Sequence, residues 1–172
     1  MSFYSVFVPK QAVGASLVYF DLFVPTTAQS RFSLVSCVPM VSGGVAVVGT
    51  LAVDLFLTRT SAVGTGGTAG TYEGTSLTAL TISGRDNSQP LTANEVTARL
   101  TPVGGATAAS VLSWCSVFTE ETADATYARA PDLAGSGGLV IRPGTGIRVI
   151  QGGVASVGNI GFNLILSADA KY

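Results

Sequence analysis

Apolar and polar residues alternate with a period of two along most of the chain, which is the pattern of half-buried β-strands. In Val45–Leu57, every second residue except Gly49 is valine or leucine. Leu17–Val24 is almost continuously apolar, which is typical of a strand buried on both faces. The pattern predicts about nine strands separated by turn clusters: Leu17–Val24, Phe32–Val38, Val45–Leu57, Leu77–Ile82, Glu95–Leu100, Ala106–Phe118, Leu139–Arg142, Gly146–Gln151 and Ile160–Ser167.

Helix signals are confined to Thr119–Ala130, which has a capping threonine, acidic residues in its first turn and a proline just after it. This segment lacks an apolar face, so an irregular loop is the alternative interpretation. Arg59–Thr75 is rich in small residues and is predicted to be a mobile or projecting loop. Arg85–Asn94 is predicted to be a turn-rich loop, and Pro143–Gly146 a hairpin turn.

The number of strands and the length of 172 residues predict an all-β fold, a jelly-roll-type antiparallel β-sandwich with little helix. An immunoglobulin sandwich fits less well. The spacing of Cys37 and Cys115 suits that fold, but Trp114 lies next to the second cysteine rather than between the two. We predict a single sandwich domain over residues 13–172, preceded by an N-terminal arm over residues 1–12.

Three long runs carry no charged residue: Phe32–Val53, Leu100–Thr119 and Val149–Ala168. Each is about as long as a membrane-spanning helix, roughly 20 residues. Their glycine, proline, serine, threonine and asparagine residues predict strands and turns instead. The first residues also lack the basic region of a secretory signal, which an outer-membrane barrel would need. The sequence therefore predicts no membrane partner.

The composition argues against several kinds of catalytic and binding site. The chain has no histidine, 11% charged residues and a formal net charge of −1. Without histidine there is neither a Ser-His-Asp triad nor the commonest zinc ligand. The cations are scattered singly along the sequence, which argues against a nucleic-acid partner. Cys37 and Cys115 lie in apolar runs and are predicted to be buried free thiols, although a disulfide between them remains open.

The remaining candidates for chemistry are weak. Gly64–Gly70 resembles a phosphate-binding loop but lacks the lysine and the following helix that such a loop requires. Trp114 alternates with Leu112 and is predicted to lie in the core. Carboxylates that could bind calcium do not have the spacing of calcium loops, so solvated loops are favoured. These carboxylates are Glu120, Glu121, Asp124 and Asp132 in one group, and Asp86 and Glu95 in another. We therefore predict no catalytic residue, no metal and no cofactor.

Aromatic residues are concentrated near the N-terminus, where core packing is the simplest interpretation. The alternative is an arm that pairs with a neighbouring subunit, because exposed aromatic residues would otherwise promote aggregation. The Arg59–Thr75 loop is a second candidate for contacts with neighbours. The predicted interface residues are Phe3, Tyr4, Phe7, Val8, Thr65, Thr68 and Tyr72.

The C-terminal third, Leu139–Leu166, contains a strand, the sequence Pro-Gly-Thr-Gly, a second strand ending in glutamine, and a Gly-Phe-Asn-Leu strand. This order resembles the end of small bacteriophage virion proteins with jelly-roll-like folds. The low charge and the alanine, glycine, threonine and valine content are similar to those of phage head decoration (cement) proteins. The resemblance implies a homotrimer bound to the major capsid protein of a virion that assembles in the host cytoplasm. It carries over no individual functional residue.

These observations lead to three hypotheses. The first is a structural virion protein that self-associates and decorates or cements a phage capsid. The second is a trimeric fibre or baseplate module that binds a host glycan or protein through loops at one end of the sandwich. An enzyme is the least favoured, since the chain offers no general base beyond scattered carboxylates.

Overall fold

Twelve β-strands make up the regular structure of the chain. A computed structural model describes residues 1–42, 51–85, 90–105, 107–119, 138–154 and 158–170. These residues contain no helix. The strands are β1 (Ser2–Ala12), β2 (Val18–Val24), β3 (Ser30–Ser42), β4 (Leu51–Thr60), β5 (Thr68–Ala69), β6 (Thr71–Tyr72), β7 (Thr81–Gly84), β8 (Thr97–Leu100), β9 (Thr107–Thr119), β10 (Leu139–Ile141), β11 (Thr145–Gln151) and β12 (Asn159–Ala170).

The strands form two six-stranded sheets that pack face to face. Sheet A has the order β10-β3-β12-β1-β7-β6, and sheet B has the order β5-β8-β2-β11-β4-β9. Neighbouring strands are antiparallel throughout, except that β6 runs parallel to β7. The all-β sandwich predicted from the sequence is confirmed.

Eight of the strands are nested in the manner of a jelly roll. The first strand, β1, pairs with the last, β12, and β2 pairs with β11. Inside these, β3 pairs with β10 and β4 with β9. Successive pairs alternate between sheet A and sheet B. One long antiparallel ribbon, folded across itself, would give this arrangement.

The four remaining strands are an insertion between β4 and β9. They extend both sheets on the same side of the sandwich, because β7 pairs with β1 and β8 pairs with β2. The short strands β6 and β5 then lie outside β7 and β8. The insertion therefore covers the edges that the eight-stranded jelly roll would leave at β1 and β2.

The core lies between the two sheets and follows from the period-two pattern. Along β1, Tyr4, Val6 and Val8 point inward and are buried. Phe162 on β12 meets Tyr19 and Phe20 of the opposite sheet edge to face, with ring centroids 5.3 Å and 5.4 Å apart. The largest fully buried side chains are Tyr19, Phe20, Phe32, Phe162, Leu22, Leu34, Leu55, Leu57, Leu80, Ile82 and Ile141.

Gln151, at the end of β11, is a buried polar residue whose hydrogen bonds are satisfied within the chain. Its Oε1 accepts hydrogen bonds from the Tyr19 hydroxyl at 2.7 Å and from the Gly14 backbone N–H at 3.0 Å. Its Nε2 donates to the Val154 carbonyl oxygen at 3.0 Å. This glutamine thus joins the turn before β2 to the turn after β11, and the bonds offset the cost of burying an amide.

The structure corrects the predicted N-terminal arm over residues 1–12. Residues 2–12 form β1, an inner strand of sheet A that pairs with β12 on one side and β7 on the other. The inward residues of β1 are part of the single hydrophobic core. The apolar pattern in this segment reflects packing within the same chain.

Two further expectations change. The predicted strand Leu77–Ile82 begins only at Thr81, and Leu77 is 80% exposed. Pro143–Gly146 is not a hairpin turn, because β10 and β11 belong to different sheets. A turn is present there, since the Thr145 N–H donates to the Arg142 carbonyl oxygen and Gly144 has a φ of 81°. Pro-Gly favours a tight turn whether the chain continues in the same sheet or crosses to the other.

Several predicted elements lie partly outside the described residues. The predicted strand Val45–Leu57 is confirmed from Leu51 onward, and residues 43–50 are not described. The candidate helix Thr119–Ala130 also falls outside them, apart from Thr119, which ends β9.

We predict that Gly67→Ala destabilises the protein by about 2–4 kcal/mol. Gly67 has a φ of 63°, and a Cβ there would overlap the carbonyl oxygen of Leu100 and lie 2.7 Å from that of Thr101. Gly153→Ala is the control, because a Cβ at that position meets nothing within 4 Å. Its expected effect on the free energy of unfolding is below about 0.5 kcal/mol. Urea unfolding of both variants measures the difference, and equal stability would contradict the close backbone approach.

Candidate interaction surfaces

The predicted interface residues of β1 lie on opposite sides of sheet A. Tyr4 and Val8 point into the core and are buried. Phe3 and Phe7 point outward, and Phe3 is 38% exposed. Only Phe3 and Phe7 therefore belong to the outer surface, as expected for alternate residues of a strand.

The other predicted interface residues lie in the insertion. Thr65 and Thr68 are exposed, and Thr68 is in β5 at the edge of sheet B. Tyr72 is half-buried in β6, at the edge of sheet A, and its hydroxyl donates a hydrogen bond to the Val96 carbonyl oxygen. The residues predicted from the sequence thus do not form one continuous surface.

The outer surface of sheet A is almost devoid of charge. Its three central strands, β1, β12 and β3, contain no charged residue in the ranges 2–9, 159–168 and 32–41. Charges appear only at the two ends, where Lys10 is exposed and Arg31 and Asp169 form an ion pair at 3.6 Å. The outward apolar side chains between these ends form what we call the uncharged face. It consists of Phe3, Phe7, Val35, Val38, Met40 and Ile165, separated by serine and asparagine side chains.

A shallow groove of about 340 Å³ crosses one side of the uncharged face. Phe7, Met40 and Leu77 are among the residues that line it, and Leu77 lies on the loop before β7. Leu77 is the most exposed leucine of the described residues. Lys10 and Gln11 also line the groove, so it reaches the charged end of the face, and Leu77 adds an apolar side chain beyond β1.

Trp114 is exposed on the outer surface of sheet B, and its predicted place in the core was wrong. Its side chain is 64% exposed, whereas its neighbour Cys115 and Val117 point inward and are buried. A β-bulge opposite Leu57 and Thr58 also puts Val111 on the outer surface, where it is 60% exposed. The predicted alternation from Trp114 to Val117 is confirmed, but the side that faces the core is the one with Cys115 and Val117.

Phe56 lies directly across from Trp114 on β4, and Asp54 lies across from Ser116. The Ser116 hydroxyl donates to Asp54 Oδ1 at 2.5 Å. Trp114, Val111 and Phe56 together form what we call the Trp114 patch. An open pocket of about 430 Å³ lies beside it, lined by Asp54, Phe56, Gly152, Gly153 and Val154. Sequence pattern alone missed this patch, although its tryptophan is the only one in the chain.

Asp21 on β2 is a buried carboxylate that faces away from the core, toward the insertion. It accepts hydrogen bonds from the Gly64 backbone N–H and, at 3.4 Å, from the Thr60 hydroxyl. Burial raises the pKa of Asp21 to about 6, although its hydrogen bonds and the nearby Arg148 and Arg99 oppose that shift. Asp21 serves the fold, because its oxygens are bound by groups of the same chain.

The contact with Asp21 corrects the prediction that Arg59–Thr75 is a mobile or projecting loop. Gly64 is buried against sheet B, and the Thr65 N–H donates to the Gly104 carbonyl oxygen at 2.9 Å. Arg99 donates from Nη1 to the Gly66 carbonyl oxygen at 3.0 Å. The small residues allow the backbone to lie flat on the sheet.

Among the described residues, the structure gives no support to the other candidate binding sites. Gly64–Gly70 contains the strand β5 and is followed by β6. Both carboxylate oxygens of Glu95 accept backbone hydrogen bonds, from Gln29 and Ser30 at 3.2 Å each. Within the described ranges no three histidine, cysteine, aspartate or glutamate residues cluster as a metal site would require. The candidates Asp86, Glu120, Glu121, Asp124 and Asp132 lie outside the described residues.

The cysteines agree with the simplest expectation. Cys37 lies in sheet A and Cys115 in sheet B, and both are buried and form no disulfide. Burial and the nearby Asp54 carboxylate raise the pKa of Cys115 to about 11, which suppresses its thiolate. In the part of the chain that the structure describes, there is also no helix long and apolar enough to cross a membrane.

Comparison with known proteins gives no relative. No protein-family model, curated protein or solved structure matches the chain.

We predict that Asp21→Asn changes how stability depends on pH. Because the folded carboxyl has a pKa of about 6 and the unfolded one of 3.8, the folded state binds an extra proton between these values. Stability from this group is therefore present at low pH and is lost as the pH rises through 6. Relative to Asp21→Asn, the free energy of unfolding of the wild type should rise by about 2–3 kcal/mol from pH 7 to pH 4.

Urea unfolding of both proteins at several pH values gives this difference directly. A difference that stays constant over the range would mean that Asp21 titrates alike in the folded and unfolded chains.

Proposed function

We propose that this protein is a structural component of a virus particle, which self-associates and decorates or cements a capsid. The uncharged face carries this proposal. It places exposed or half-buried apolar side chains on three adjacent strands with no charge among them. A surface of this kind is common where another protein covers it and uncommon on a protein that stays alone in water.

The jelly-roll nesting supports the same proposal. Jelly rolls occur in viral capsid proteins as well as in lectins and cupins, so the fold is compatible with a shell protein without establishing one. The resemblance of Leu139–Leu166 to phage virion proteins favours the viral alternative. That resemblance also suggests a homotrimer and the major capsid protein as partners.

Such a protein would stabilise a capsid through the free energy of its contacts with neighbouring proteins. Burying ~1,000 Å² of apolar surface per subunit would contribute ~25 kcal/mol of gross stabilisation. The loss of translational and rotational freedom and the ordering of side chains offset much of this. With a net charge of −1, repulsion between copies opposes association only weakly. The small net gain, repeated over many copies, would strengthen a shell.

We predict that Val38→Lys weakens self-association by at least about tenfold. Val38 is an exposed residue of the uncharged face on β3, opposite Asn163, and an ammonium group there would have to be desolvated on contact. Thr68→Lys is the matched control, since it adds the same charge at an exposed position on the other sheet. Light scattering over a range of concentrations measures the mass of each protein.

Circular dichroism should show that both variants keep the wild-type fold. A wild-type protein that remains a single chain at every concentration would contradict the proposed function. Equal association of the two variants would exclude the uncharged face as the contact.

The Trp114 patch favours a second candidate, a module that binds a host glycan. An exposed indole can stack on a sugar ring, and Asp54 beside it can accept hydrogen bonds from sugar hydroxyls. Binding on a glycan array that Trp114→Ala removes would support this candidate. An array without binding by the wild type would eliminate it.

A further inference from the structure

Four strands form the free edges of the two sheets, and one of them differs from the others. In sheet A the edges are β10, with 3 residues, and β6, with 2. In sheet B they are β5, with 2 residues, and β9, with 13. Very short edge strands protect a sheet from pairing with other chains. This protection is absent at β9.

The sequence of β9 also lacks the residues that usually block an edge. Thr107–Thr119 contains no lysine, arginine, aspartate, glutamate, proline or glycine. Its bulges are confined to the part opposite Thr58–Thr60. From Ser113 to Thr119 the register with β4 is continuous. This stretch is therefore a regular, uncharged edge, and within the described residues no strand pairs with β9 except β4.

Trp114 lies on this regular stretch, with its indole largely exposed on the outer surface. An added strand would place its own side chains about 4.5–5.5 Å from those of β9. Such a neighbour would cover the indole on the side where sheet B ends. The one charged residue of β4 that pairs with this stretch is Asp54, and its carboxylate already accepts a hydrogen bond from the Ser116 hydroxyl.

We propose that Ser113–Thr119 pairs antiparallel with the same stretch of a second copy, across a two-fold axis, and joins two B sheets into one. This proposal rests on the self-association in the proposed function and names the contact. A second copy fits because a two-fold contact needs a self-complementary surface. Because this strand carries no charge, two copies of it can pair without like-charge repulsion. Charged side chains are one of the features that keep exposed edge strands from pairing.

The experiment compares Trp114→Lys with Val111→Lys. Both replace an exposed side chain on the outer surface of β9 with the same cation, but Val111 lies outside the regular stretch. In the symmetric register, residue 114 lies across from residue 118 of the second copy. Trp114→Lys therefore removes the indole from the contact and puts there an ammonium group that must lose water, so dimerisation should weaken at least about tenfold. Val111→Lys should dimerise like the wild type. Trp114→Glu, with the opposite charge, should lose dimerisation to the same degree.

Two measurements on the wild type accompany the light scattering. The emission of the single tryptophan should shift to shorter wavelength as the mass doubles, because Trp114 becomes covered. Amide hydrogen exchange of residues 113–119 should slow over the same concentration range, since new backbone hydrogen bonds form there.

Three contrary results would distinguish failure of the β9 contact from failure of the proposed function. Unchanged association of Trp114→Lys would overturn the β9 contact and leave the proposed function intact. A wild-type protein that is a single chain with the emission of an exposed indole would overturn both. A single chain whose indole is already shielded would mean that the same chain covers Trp114, which also overturns the contact.

Discussion

The structure depends on the position of its last two strands. β12 lies between β1 and β3, and β11 lies between β2 and β4, so each occupies the centre of one sheet. Without β12, the strands β1 and β3 have no pairing partner in common. The core therefore closes only when the C-terminal residues join strands from the start of the chain, which is a non-local topology of the kind that folds slowly. Gln151 and Phe162, both in this region, fix the turns and the aromatic centre of the core.

This arrangement also determines the surfaces. One side of every central strand fills the core, so the other side must face outward, whatever its polarity. In sheet A the outward side chains of β1, β12 and β3 are small polar residues with scattered large apolar ones. In sheet B, Arg148, Arg99 and Asp21 lie under or beside the insertion, which fills that part of the outer surface. The few charged residues are thus distributed unevenly, and the outer surface of sheet A carries fewer of them than that of sheet B.

Local pattern predicted most strands and the fold class, because burial on one side leaves a period of two in the sequence. It failed where the decisive partner is distant in the chain. Asp21 holds Gly64 from 43 residues away, so small residues resembled a free loop. The alternation of β1 was visible, but its partners β7 and β12 were not, and the segment resembled an arm. For Trp114, alternation gave two sides of β9 without saying which of them faces the core. For the same reason, the predicted interface residues of β1 are divided between the core and the outer surface.

Edge contacts and face contacts extend an assembly in different directions. Pairing at β9 lies in the plane of sheet B, whereas packing on the uncharged face is roughly perpendicular to sheet A. A two-fold contact alone closes after two copies, and a three-fold contact alone closes after three. If the homotrimer suggested by the resemblance forms through the uncharged face, pairing at β9 links trimers to one another. A layer of this kind requires both contacts on every copy. The insertion closes the opposite edge of each sheet with strands of 2 residues, which leaves β9 as the only outermost strand longer than 3 residues among the described ones.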